Sequence, residues 1–198
     1  MAPLSSTVLG IDPGLDRTGW AVVHRTERNQ LQLIACGLIH TEAGQDLPKR
    51  LAYIYEQLQK ILTTYAPQQV AMEQNFFLKR AVTMANTVMT RGVIILACEQ
   101  AAKTISFYPP KRVKMMLCGT GTADKKQVQR MVQLTLHLDK KPEPDDVADA
   151  VAIAICHHKT APLTQQINTQ TAFLEKIKAA KAAQMQALAK KIRPTRSN

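Results

Sequence analysis

The sequence predicts an α/β fold: a mixed five-stranded sheet flanked by helices. The first forty residues hold three β-type runs in succession, and from residue 47 onward helical and strand-like segments alternate. The size agrees, since 198 residues with 45% hydrophobic content suit one domain with an extension.

Thr7 to Ile11 is a short apolar run closed by Asp12-Pro13-Gly14, a strand followed by a turn. Gly19 to His24 and Leu31 to His40 are rich in Val, Ile and Leu and read as strands. The polar break at Thr26 to Gln30 suits a hairpin between them. Leu47, Leu51, Ile54, Leu58, Ile61 and Leu62 recur at steps of three and four, which marks an amphipathic helix ending near Pro67. Gln69 to Glu73 is a short strand, Lys79 to Lys103 a long helix, and Ile105 to Tyr108 a further strand. Helices follow at Lys111 to Leu117, Ala123 to Leu138 and Asp145 to His158. The strand–helix–strand unit should be a right-handed crossover between parallel strands. Residues 1–160 make the folded domain. Residues 161–198 read as a basic helical or mobile extension, with only Leu174, Ile177, Leu188 and Ile192 in a thin apolar stripe.

Net charge is +11, unevenly spread. Residues 79–130 carry 10 basic and 2 acidic groups, whereas residues 131–158 carry 2 basic and 5 acidic. A basic middle beside an acidic segment suits a polyanion partner near an acidic pocket, although a charge run alone is more often a solvated surface. No apolar run approaches the roughly 18 residues of a membrane span, and no signal peptide is evident, so a soluble, cytoplasmic protein is expected. Cys36, Cys98, Cys118 and Cys156 form no CxxC pair and read as reduced core cysteines.

The carboxylates carry the chemistry. Asp12 and Glu73 each end an apolar strand, where ligands gather in α/β sheets. Asp146 and Asp149 share one helix face, and the rest of that helix is apolar nearly all round, from Val147 to Ile155. Two acids on a buried helix repel each other and resist desolvation unless a cation neutralises them. The helix N-terminus offsets only about 0.3–1 kcal/mol of this. An all-oxygen donor set without a His or Cys cluster selects a hard cation such as Mg2+. Two such ions can activate water and stabilise a leaving oxygen in phosphodiester cleavage. Asp145 points away around the helix and serves as a cap or faces solvent. His157 and His158 end the same helix, where cationic side chains suit the dipole.

With these residues in place, the chain resembles the RuvC family of crossover junction endodeoxyribonucleases. LGIDPG at 9–14 with Thr18-Gly19, MEQNFF at 72–77, Arg91-Gly92, GTGTADKKQVQ at 119–129 and DDVADAVAIAI at 145–155 follow the family's order and spacing. The resemblance covers about residues 7–158. It implies an RNase H-like fold and a homodimer that makes paired nicks in a four-way (Holliday) junction. It also implies Mg2+ as cofactor, two ions per subunit, and a RuvAB branch-migration motor as partner. The family's four acids fall on Asp12, Glu73, Asp146 and Asp149; some members have His at the place of Asp146.

DNA-contacting candidates follow. Phe76 and Phe77 lie just after Glu73 and are candidates for stacking on opened bases, the alternative being a core role. The family has an aromatic wedge there. Lys79 and Arg80 follow directly, Lys111, Arg112 and Lys114 cluster after Pro109-Pro110, and Lys125 and Lys126 open a helix whose N-terminus suits a phosphate. In the family, basic residues matching Lys114 and Lys125 support junction binding or catalysis. The long helix around Met84, Val88, Met89, Val93 and Ile94–Ala97 is apolar on more than one side, and Gly92 within it costs about 1 kcal/mol against Ala. It reads as a dimer seam or as a helix sandwiched within the monomer. Two other readings compete: an ATPase or sugar kinase of the same fold, and a junction-binding module that does not cut.

Overall fold

The computed structural model describes residues 6–74 and 81–160. Five strands form one sheet: β1 (Ser6–Asp12), β2 (Arg17–Arg25), β3 (Leu31–His40), β4 (Gln69–Glu73) and β5 (Ile105–Tyr108). Their spatial order is β3-β2-β1-β4-β5. β1, β2 and β3 pair antiparallel, while β1–β4 and β4–β5 are parallel. The sheet is therefore mixed, as the strand order in the sequence predicts.

The hairpin between β2 and β3 closes where the polar break lies. Thr26 N–H donates to Gln30 O at 2.9 Å, and Asn29 takes a left-handed φ of 62°. Among the described residues the helices are α1 (Leu47–Tyr65), α2 (Ala81–Gln100), α3 (Pro110–Cys118), α4 (Lys125–Thr135) and α5 (145–160). None is long and apolar enough to cross a membrane.

Strand alternation sorts the core into two layers. Leu9, Ile11, Val22, Val70 and Met72 face α1 and α2, meeting Ile54, Leu58, Ile94 and Cys98. Val8, Ala21, Val23 and Ala71 face the other way, onto α3, α4 and α5. The apolar run Val151–Cys156 of α5 is buried throughout, which explains a helix without an amphipathic pattern.

Three expectations change. His157 and His158 are buried, and burial first of all pushes both down to about 4, so they are neutral at pH 7 and do not act as cations on the helix dipole. His157 Nδ1 meets Tyr108 Oη at 2.9 Å and its Nε2 meets Gln69 Oε1 at 2.9 Å; His158 Nε2 lies 3.0 Å from Val23 O. Cys36 is exposed on the outer strand β3 rather than in the core. The helix cost of Gly92 hints in the sequence at close packing there, but among the described residues nothing lies within 4 Å of its Cβ position.

Candidate active site

β1 and β4 run side by side, with Ile11 level with Met72. One residue further, each strand ends on an acid, Asp12 and Glu73. Since Ile11 and Met72 turn to the α1–α2 layer, Asp12 and Glu73 turn to the α5 side.

Gly10 and Gly19 seat α5 on that side. A Cβ on Gly10 would collide with the Ala150 carbonyl oxygen, and one on Gly19 with that of Asp146. Glycine permits this close approach of helix backbone to sheet. Gly19 is also the register partner of Asp12, so the start of α5 lies one strand away from Asp12.

The electrostatics follow. Burial pushes the Asp12 carboxyl well above the ordinary carboxylate range. Glu73, Asp149 and Asp146 add to the rise, as does a side-chain hydrogen bond between Asp12 and Glu73. Asp149 is also raised, by burial first; Asp145 and Asp146 push it further up while Lys125 and Lys114 oppose them. The four predicted acids thus share one electrostatic field at one end of the sheet. In this conformation no three of the described His, Cys, Asp and Glu side chains are gathered tightly enough to hold an ion. Asp146 is turned toward Arg17, whose Nη2 lies 2.5 Å from its Oδ2. Crowded negative charge of this kind, with carboxylate oxygens as its donors, fits a hard divalent cation.

Asp145 stands apart. It is exposed, accepts a hydrogen bond from Gln129 Nε2 at 2.5 Å and lies 3.6 Å from Lys125 Nζ. Of its two expected roles it keeps the solvent-facing one and not the cap, since Val147 N–H donates to Pro144 O at 2.9 Å.

Among the predicted DNA contacts, Phe76, Phe77, Lys79 and Arg80 lie outside the described residues. Lys111, Arg112, Lys125 and Lys126 are exposed, and Lys114 is half-buried. Lys114 and Lys125 are the two whose charge is felt at Asp149. Arg112 packs its guanidinium 5.8 Å from the Tyr108 ring centre. The helix start that the sequence offers to a phosphate is already capped. Asp124 Oδ1 accepts from Gln127 N–H at 2.8 Å, and Gln127 Oε1 accepts from Asp124 N–H at 2.9 Å. A phosphate contact at that place rests on the lysine side chains.

Three arginines at the site receive no role in the sequence reading, although Arg91 belongs to one of its motifs. Arg17 is the partner of Asp146. Arg50, buried in α1, binds the Asp16 carboxylate and donates from Nε to Thr41 Oγ1 at 2.8 Å. Thr41 Oγ1 in turn donates to Leu15 O at 2.6 Å, and Thr18 Oγ1 donates to Gly14 O at 2.6 Å, so the turn after Asp12 is pinned from both sides. Arg91 Nη1 donates to the Glu73 carbonyl oxygen at 2.5 Å, which ties α2 to the end of β4. Hairpin parity offers a signal for Arg17, since it shares a strand face with Gly19 opposite Asp12. Nothing local signals Arg50.

Known proteins share this fold. The family model described as crossover junction endodeoxyribonuclease RuvC matches residues 8–157. A crossover junction endodeoxyribonuclease RuvC from Roseiflexus sp. (strain RS-1) is 42% identical over 163 residues, 82% of this chain and 96% of that protein. Among solved structures, Thermus thermophilus RuvC superposes with a TM-score of 0.74 at 29% identity, covering 80% of this chain and 96% of that one. The same protein in complex with Holliday junction substrate gives a TM-score of 0.73 at 27% identity, covering 79% and 96%. The fold is RNase H-like, and the family is metal-dependent in general. From profile, relatives and superposition together, the chain belongs to the crossover junction endodeoxyribonuclease RuvC family.

Proposed function

We propose that this chain is a Holliday junction resolvase, a homodimeric endonuclease that makes paired symmetric nicks in four-way junctions during recombination and repair. Asp12, Glu73, Asp146 and Asp149 are its metal-holding acids, with two Mg2+ per subunit. One observation carries the reading. Asp12 and Glu73, from adjacent parallel strands, lie within electrostatic reach of Asp146 and Asp149 of α5, and burial first, then these acids, hold Asp12 well above the usual carboxylate range. Such a cluster is unfavourable for stability alone and is relieved by a divalent cation. When bound, the cations supply an activated water and stabilise the leaving oxygen. Lys114 and Lys125, close enough to bias Asp149, are the residues proposed to hold the scissile phosphate beside the acids. Phe76 and Phe77 are proposed to stack on bases at the junction centre.

The dimer reading draws on α2. Val88, Met89, Ile95 and Leu96 expose 59%, 45%, 40% and 52% of their surface on a face that neither the sheet nor α1 covers. An apolar patch of that kind suits a second copy of the chain. Light scattering on the eluting peak at micromolar concentration should give twice the chain mass; a monomer under those conditions contradicts the seam. A RuvAB-type motor as partner rests on family membership alone.

The decisive assay is cleavage of a mobile four-way junction against a matched linear duplex, with Mg2+ and then with EDTA. Symmetric nicks confined to the junction, lost in EDTA, are expected. Asp12→Asn and Asp149→Asn should bind the junction as the native chain does and lose cleavage by at least about a hundredfold. Cleavage retained by both variants overturns the assignment. Binding without cleavage by the native chain in Mg2+ favours a non-cutting module.

A further inference from the structure

Arg17 opens β2, two residues before Gly19, the register partner of Asp12. Its guanidinium meets the Asp146 carboxylate at 2.5 Å. The turn carrying it is fixed by the Thr18–Gly14 and Thr41–Leu15 hydrogen bonds and by Arg50 on Asp16. The backbone is therefore held and only the side chain is free to move. That side chain is 44% exposed and borders an open cleft of about 680 Å³, shared with Lys125, Glu143, Pro144, Asp145 and Asp146. A guanidinium cannot lose its charge by deprotonation in a protein. It therefore stays a cation whether it faces Asp146, water or another anion, and a phosphate offers two oxygens to its fork.

We propose that Arg17 is a built-in competitor of the metal: it neutralises Asp146 in the free protein and hands that carboxylate to the divalent cation when a DNA phosphate in the cleft takes the guanidinium. The proposal rests on the carboxylate cluster being the metal site. It makes metal and junction binding mutually reinforcing, because each ligand removes what opposes the other. The free protein then holds the cation weakly until substrate is present.

The test is a Mn2+ titration of the full chain without DNA, read by the electron paramagnetic resonance signal of free Mn2+. Arg17→Gln should bind Mn2+ roughly two- to fivefold tighter than the native chain, the range expected for releasing a partly exposed ion pair. Arg17→Lys should fall between the two, keeping the charge but losing the fork. The gain should vanish on an Asp146→Asn background. In EDTA, Arg17→Gln should also bind the junction several-fold more weakly. Unchanged Mn2+ affinity in Arg17→Gln, a gain that survives Asp146→Asn, or unchanged junction affinity overturns the proposal. Asp12→Asn separates the two levels. If it leaves Mn2+ binding intact, the metal site itself lies elsewhere; if it abolishes binding while Arg17→Gln changes nothing, only the role of Arg17 fails.

Discussion

Asp12 sits where its charge is least welcome in the metal-free chain. Burial raises its carboxyl first, and three neighbouring acids raise it further. A carboxyl whose folded pKa is raised favours the folded state below the unfolded value near 3.8, and that contribution is lost as pH rises through the folded pKa. At neutral pH the buried, acid-crowded carboxyl therefore opposes folding. Asp12→Asn should raise the melting temperature of the EDTA-treated protein at pH 7, by roughly 2–4 °C for each kcal/mol recovered in a chain of this size. The gain should shrink toward pH 4, where the native carboxyl is neutral as well. Calorimetry at both pH values checks this, and a lower melting temperature at pH 7 contradicts it. The placing of Asp12 and Glu73 at strand ends is legible in the sequence because an apolar run that stops on an acid declares its own boundary. The pairing of Arg50 with Asp16 is not, because it forms through tertiary folding; for Arg17, hairpin parity gives the strand face but not its partner on α5.

At the scale of elements, the site depends on how closely α5 lies on the sheet. Gly10 and Gly19 leave room for the helix backbone, and the carbonyl oxygens of Ala150 and Asp146 fill it. Gly19→Ala puts a methyl group against a backbone atom that a rotamer change cannot move. It should destabilise the chain by about 1–3 kcal/mol and shift the start of α5 away from Asp12. Urea denaturation gives the first effect, and an unchanged midpoint means the helix seats itself differently. The helices and strands themselves are readable from periodicity, down to the hairpin break at Thr26 to Gln30. The seating is less so. Both glycines lie inside segments that look like ordinary strands, and their purpose shows only against α5. The histidines fail for a related reason: His157 and His158 sit in the last described turns of α5, which suggests exposure, yet Tyr108, Gln69 and Val23 enclose them.

In the described part of the molecule, the two faces of the sheet divide the work. One layer, with α1 and α2, presents an apolar outer surface suited to a second copy. The other, with α3, α4 and α5, gathers the acids and the lysines that bias them. Charge along the chain hints at this division, since the basic segment 79–130 and the acidic segment 131–158 meet where Lys114 and Lys125 approach Asp149. The sequence alone leaves open which basic residues face the acids, because exposed lysines carry no pattern of their own. The acids at the ends of β1 and β4 and at the start of α5 are proposed to hold a divalent cation. Anomalous diffraction from crystals of the full chain grown with Mn2+ and junction DNA locates that cation. Anomalous peaks bound by the carboxylates of Asp12, Glu73 and Asp149 are expected; Mn2+ peaks elsewhere, with none at those three side chains, would overturn the assignment.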